Sequence, residues 1–555
     1  MSLQVLPPEL LSRIIYFTQP TGFENFALSN RSIYACAEPH IAAHNRRKVQ
    51  WRRVCIGEAQ QSASFQYRHR GEVQGRDWLA LDFLYAVAVV DPRIPAYVEE
   101  LDFADQGDMR WQQQGLRESG EEKAEEWWKD VDGALRWMKD LVTSSPYLRD
   151  AGVDVGDWVA KMFDADMAVD GGRPTYRYQA HMLFFILTLV GNISLLKMDT
   201  WSWGTRLRLL DSGAVEEGNE EEKYPELGRV LDFLIRNANE KNKSGGGGGG
   251  GSSSGDTVAL GKLRTLSQCD EQALCDDPTV PLRCHARLLA LQSLEEFSAA
   301  YSTAYGPYSI PTPPSPPSPS PSPSLLPHVL SNATSNLRRL SLTFSDITPA
   351  SLTNFLTSLS LPRLESFTYS HETVWHLNQE PYWDVGALVA GLGRCSGASL
   401  KHLALYIETN GRPGMFDRGL KPVTGESLRG FERLQALELD CFVFLANGVA
   451  GAGREGADAE LERATQHLEA VPALREILPP SVKDLYLGTA RYSRLELRVG
   501  LGLLRALLKG FEREEMGLER FRVQCQRPLN DGGRNELILQ RELVEGAGGE
   551  YRNVI

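Results

Sequence analysis

Apolar residues recur along most of this chain in a single spacing, apolar-x-x-apolar-x-apolar, with a helical stretch before each recurrence. The anchors are Val98-Leu101-Phe103, Ile193-Leu196-Met198, Leu263-Leu266-Gln268, Leu337-Leu340-Leu342 and Leu364-Phe367-Tyr369. They continue as Leu400-Leu403-Leu405, Leu434-Leu437-Leu439, Val482-Leu485-Leu487 and Leu518-Phe521-Val523. From Leu337 onward the first anchors lie 27, 36, 34, 48 and 36 residues apart. Before that they lie 95, 70 and 74 apart, which leaves room for extra helices and inserts. Helical patterns fall between, as at Ser351 to Leu359 and Leu501 to Phe511. One short strand plus helix per unit predicts stacked repeats sharing one core. Side chains alternate faces along a strand, so the residues between anchors share the opposite face.

The N-terminal stretch has a different rhythm. Leu10, Leu11, Ile14 and Ile15 form a helical stripe behind Leu6-Pro7-Pro8-Glu9. Proline suits a first helical turn, where its missing N–H has no partner to lose, and Glu9 favours the positive helix end. A second helical stretch lies near Phe23 to Leu28, and Asn30 caps a third that carries Ile33, Tyr34 and Ala37. The pattern predicts a three-helix head at 1-55 and a repeat body at 75-545. So few residues make a marginal core, so the head is expected to complete itself against a partner or the body. Two inserts, 241-256 (Gly/Ser) and 307-327 (Pro/Ser), are expected to be disordered, because neither can bury apolar surface.

The opening Leu6-Pro7-Pro8-Glu9-Leu10-Leu11 resembles an F-box, a family that begins Leu-Pro-x-Glu-(Leu/Ile)-Leu. Phe26 to Pro39 resembles the form common in filamentous fungi, and Gln50-Trp51 is similar to the tryptophan that often closes the motif. Many members carry Trp where Tyr34 stands. The resemblance implies docking on a Skp-family adaptor, and through it a cullin ubiquitin ligase, by Leu6, Pro7, Pro8, Leu10, Leu11 and Ile14. The alternative is that these residues are only the core of a helical cap.

The body resembles leucine-rich repeats in degenerate form. That family usually places Asn or Cys three residues after the last leucine; here Ser345, Glu372, Glu408, Phe442, Ala490 and Gln526 stand there. The expected fold is therefore α/β, a small head followed by an irregular solenoid of short parallel strands and helices. An ordinary α/β domain with leucine-rich strands is the alternative. The face between anchors carries Thr343, Thr368, His402, Tyr406, Glu438, Asp440, Tyr486 and Arg522. Of these, Tyr406, Glu438, Asp440, Tyr486 and Arg522 are the candidate client-binding residues, since tyrosine and arginine are frequent energetic anchors of interfaces.

Charge and chemistry narrow the function. The 555 residues carry a net charge of -13, which argues against nucleic acid as a partner. Met182 to Leu196 is the most apolar stretch at 15 residues, short of the ~20 that span a bilayer, so no membrane is expected. Eight scattered cysteines read as reduced thiols of a cytoplasmic or nuclear protein. His371 and His376 are five apart, where a zinc-binding helix needs four. Cys269, Cys275, Cys284 and His285 lack zinc-knuckle spacing. No Gly-x-Ser-x-Gly elbow or phosphate loop occurs. No metal, no cofactor and no catalysis are expected. The expectation is a substrate receptor of a ubiquitin ligase, with a scaffold not engaged by a cullin complex as the alternative.

Overall fold

The structure is a computed structural model. It describes residues 6–20, 22–56, 77–78, 80–103, 131–163, 169–170, 173–174, 177–198, 225–244, 258–268, 280–300, 302–303, 335–345, 347–372, 382–408, 419–444, 471, 473–488, 494–509, 511, 516–526, 544–545 and 550–554. Two compact units divide the chain, one of Met1–Gln272 with Leu291–Leu294, the other of Ala273–Ala290 with Glu295–Ile555.

The first unit opens with three helices, α1 (Pro8–Thr18), α2 (Phe23–Leu28) and α3 (Arg31–Trp51). α1 has proline in its first turn, and Asn30 caps α3 by accepting from the Ser32 N–H at 2.8 Å. Ile15, Phe23, Ala27 and Ala37 form a small core, with Phe26, Cys36 and Ile41 against it. That core is continued by the segment that follows. The Trp51 and Phe83 rings meet edge to face at 6.4 Å. His44 Nδ1 lies 3.1 Å from the Tyr97 hydroxyl, which donates to Gln19 Oε1 at 3.2 Å. Arg93 donates to the same Gln19 oxygen and to Asp91, and Arg47 of α3 also holds Asp91, at 2.8 Å. The head therefore joins the first repeat through a half-buried polar network, as expected of a segment too small to bury its own core.

Five parallel strands follow in this unit, in the order β2 (Asp77–Trp78), β1 (Arg53–Ile56), β3 (Glu100–Phe103), β4 (Leu195–Met198) and β5 (Thr265–Gln268). Between them run helices that include α4 (Val131–Thr143), α5 (Val155–Phe163), α6 (Arg177–Leu189) and α7 (Pro225–Ser244). The apolar stretch at 182–196 divides into α6 and β4, as its interruption at Gly191-Asn192 predicts.

In the second unit β6 (Glu296–Ala300), β7 (Arg339–Ser345), β8 (Ser366–Glu372), β9 (His402–Glu408), β10 (Ala436–Asp440), β11 (Asp484–Gly488), β12 (Arg520–Gln526) and β13 (Glu550–Val554) pair in sequence order, all parallel. Helices α8 (Leu282–Leu289), α9 (Pro349–Leu359), α10 (Val385–Ser396) and α11 (Arg494–Leu507) lie between strands. The pairing is in strict register, Leu340 to Phe367 to Leu403 to Leu437 to Leu485 to Phe521, so like anchors stack on like.

The fold is thus α/β with open parallel strands and helices between them. Every anchor read from the sequence is buried. Gln268 is the polar exception, and among the described residues neither of its amide atoms has a hydrogen-bond partner. Four strands depart from the sequence expectation, and one of them, Asp77–Trp78, lies where the anchor spacing marks nothing. Arg53–Ile56 lies where the head was expected to end, and Glu550–Val554 extends the run past 545. Glu296–Ala300 falls within the 74-residue interval, where Ala299 is too small to read as an anchor although it is fully buried. α7 runs through Ser244, so the first positions of 241-256 are helical; the remainder of that insert, and 307-327, lie outside the described residues.

Candidate interaction surfaces

On the head, the apolar stripe of α1 divides into an inner and an outer side. Leu11 and Ile15 turn into the core, Leu11 at 4% exposure. Leu10 stays 48% exposed and Phe17, two turns on, 71%. Pro7 and Pro8 are exposed, and Leu6 and Ile14 are half-buried. Of the docking residues expected from the sequence, Leu11 is thus turned away from solvent, because a helix this short needs two inward residues per turn pair to hold its core. Leu28, at the end of α2, is 75% exposed, and Val49, Tyr34 and Tyr16 are also open. Arg93 lies over the Tyr16 ring at 4.2 Å. Phe17 and Leu28 were not singled out by the sequence reading, although the seven-residue spacing places Phe17 on the same face of α1 as Leu10.

The second surface is the face of β7 to β12 opposite the anchors. Thr343, Thr368, His402, Tyr406, Glu438, Tyr486 and Arg522 are half-buried there, and Asp440 is buried. Register sets Glu438 beside Tyr486 and Tyr486 beside Arg522. His402 Nε2 donates to Glu438 Oε1 at 2.9 Å, and the Tyr406 hydroxyl donates to Glu438 Oε2. In the neutral tautomer, Nδ1 of His402 then accepts from the Ser366 hydroxyl at 2.9 Å. The His402 hydrogen bond, with that of Tyr406, holds the Glu438 carboxyl below its usual range against the opposing effect of burial. Burial, and then the bond to Glu438, push the Tyr406 hydroxyl up, so it stays protonated as a donor. Ser366, which the sequence did not single out, completes this chain because it faces His402 across β8 and β9.

Ser366, His402 and Glu438 stand in the order of a nucleophile, a base and its orienting acid. The backbone N–H groups of Ser366 and His402, however, donate to the carbonyls of Arg338 and Glu365 in the strand ladder. They are not open to receive an oxyanion. The chain of bonds instead fixes side chains on a solvent-facing sheet.

Side chains also satisfy the backbone where the chain leaves β7. Ser345 is buried, receives the Ser302 N–H and donates to the Thr343 carbonyl at 2.9 Å. The Tyr369 hydroxyl donates to the Ser345 carbonyl at 3.0 Å and accepts from the Ile347 N–H at 3.1 Å. These bonds satisfy the chain where it leaves β7.

Other titratable clusters are internal. Glu226 accepts from Lys161 at 2.7 Å and lies 3.2 Å from His181 Nε2. Burial pushes its carboxyl up, but those two partners outweigh it and bring it down to about 2. His285 is fully buried, its ring nitrogens have no hydrogen-bond partner among the described residues, and burial lowers its ring to about 3. Among the described residues no three His, Cys, Asp or Glu side chains group to hold a metal ion, and Cys36, Cys55, Cys395 and Cys441 form no disulfide. Among them too, no helix is long and apolar enough to cross a membrane.

No family model matches the chain, and no curated protein matches it.

Proposed function

We propose that the chain is the substrate-receptor subunit of a Skp-cullin-F-box ubiquitin ligase. The three-helix head docks on a Skp-family adaptor, and the strand face of a leucine-rich-repeat body holds a client protein. The observation that carries this reading is where apolar surface is left open. Among the described residues, six of the nine large hydrophobic side chains left exposed belong to the head: Leu10, Tyr16, Phe17, Leu28, Tyr34 and Val49. Apolar surface of that density on so small a unit is a docking face. An amphipathic helix set beside a rigid Leu-Pro-Pro opening suits a groove between partner helices. The receptor catalyses nothing itself; it raises the effective concentration of the client near the ubiquitin-loading enzyme. It acts in the cytoplasm or nucleus, where the ligase works.

The client half is tested by combining Tyr406→Ala, Tyr486→Ala and Arg522→Ala. Clients are first identified by proximity labelling with the head disabled by Leu10→Asp and Phe17→Asp, so that degradation does not deplete them. The triple variant is expected to lose those clients and to keep the adaptor. Recovery of the same clients at the same yield would place the client surface elsewhere.

A further inference from the structure

Along the strands of the second unit, carboxylates near strand starts are neutralised by a cation from a neighbouring strand. Arg339 donates to Glu296 at 2.7 Å, Lys401 pairs with Glu365 at 3.1 Å, Arg520 Nε donates to Asp484 at 2.7 Å and Lys483 donates to Glu519 at 2.7 Å. Glu438 is different. His402 and Tyr406 hold its two oxygens, and among the described residues no Lys or Arg side chain is ion-paired with it. Tyr406 brings no charge, and His402 brings one only when protonated. Both bonds favour the ionised form, so the charge is kept at neutral pH rather than quenched by protonation. The carboxylate is also reachable, with about a third of its side-chain surface open.

Around it stand two aromatic rings, Tyr406 one strand before and Tyr486 beside it in register. Asp440, two residues on along the same face of β10, is buried and stands outside the open part of the site. A preorganised anion between phenol rings is complementary to a side-chain cation, which the carboxylate attracts by charge and the ring faces by their quadrupole. Arg522, the cation nearest in register, stands beyond Tyr486, one strand further from Glu438.

We infer that Glu438, framed by Tyr406 and Tyr486, receives a lysine or arginine side chain from a basic segment of the bound client. The inference rests on the receptor reading of this face and adds the chemistry of what it takes.

The test uses the full chain and two labelled hexapeptides, hexa-arginine and its neutral isostere hexa-citrulline, read by fluorescence anisotropy at physiological salt. A chain of net charge -13 attracts any polycation weakly, so Glu240→Gln, on the exposed surface of α7, serves as the charge-matched control. Glu438→Gln is expected to weaken hexa-arginine binding by about tenfold, the scale of a lost close charge pair, while Glu240→Gln leaves it unchanged. Exchange protection by the peptide is expected on 402–408, 436–440 and 484–488. Equal effects of the two substitutions would reduce the binding to diffuse attraction and overturn the inference, as would hexa-citrulline binding as well as hexa-arginine. Should Glu438→Gln unfold, as read by its melting curve, Tyr486→Leu replaces it, with a several-fold loss expected and no loss overturning the site. Adaptor capture is measured on the same preparations. Capture without Glu438-dependent binding removes the cation site alone, and the converse removes the ligase reading alone.

Discussion

Tyr369 illustrates how single polar groups hold this fold. Its ring is one of the largest fully buried side chains, and its hydroxyl serves the Ser345 carbonyl and the Ile347 N–H together. Tyr369→Phe keeps the ring but strands both backbone groups, so it is expected to cost about 1–3 kcal/mol in urea unfolding. A value near zero would mean that water replaces the hydroxyl. Glu226 gives a pH signature. Its folded carboxyl titrates at about 2 against an ordinary 4.5, so its contribution is present above 4.5 and is lost as pH falls toward 2. Glu226→Gln is therefore expected to flatten the acid limb of a melting-temperature profile over that window; an unchanged limb would show that other carboxylates carry it. At this scale the sequence was partly legible. Asn30 was readable as a cap because its type and position suffice, whereas the Tyr369 bonds depend on neighbours brought in by register, which spacing alone does not reveal.

At the scale of elements, the anchors carry the fold. Leu403 sits in register with Phe367 on one side and Leu437 on the other, all fully buried. Leu403→Ala is expected to destabilise by about 2–5 kcal/mol, because neighbours locked in parallel register cannot collapse into the void. A loss below that range in denaturant titration would indicate a body that relaxes between repeats. Strand positions were legible wherever large apolar residues mark them, which is why each leucine-based anchor set lies on a strand or just before one. β6 was not legible, because Ala299 fills an anchor place with a small side chain. Close helix packing was also unmarked: Gly397 at the end of α10 lies against the Gly430 backbone with no room for a Cβ. On α1 the stripe was seen as one set, but only a packed neighbour decides which side turns inward. Leu11 went to the core, and Leu10 stayed out.

At the scale of the whole molecule, the protein carries an apolar face on the head and a polar face on the strands. The network of Gln19, His44, Arg47, Asp91, Arg93 and Tyr97 ties the head to the first repeat, so the head is expected to melt with that repeat and not before it. A separate early transition in calorimetry would contradict this. The general division into head and body was legible from the change of apolar period, while the tie between them was not, since its partners lie 44 to 78 residues apart in sequence. The proposed docking of the head on an adaptor is checked by titrating the full chain with a purified Skp-family adaptor in a calorimeter. One-to-one binding is expected, abolished by Leu10→Asp with Phe17→Asp, while the melting temperature of the free chain stays close to that of the unsubstituted protein. No heat of binding to the intact chain, or binding that survives the double substitution unchanged, would contradict it.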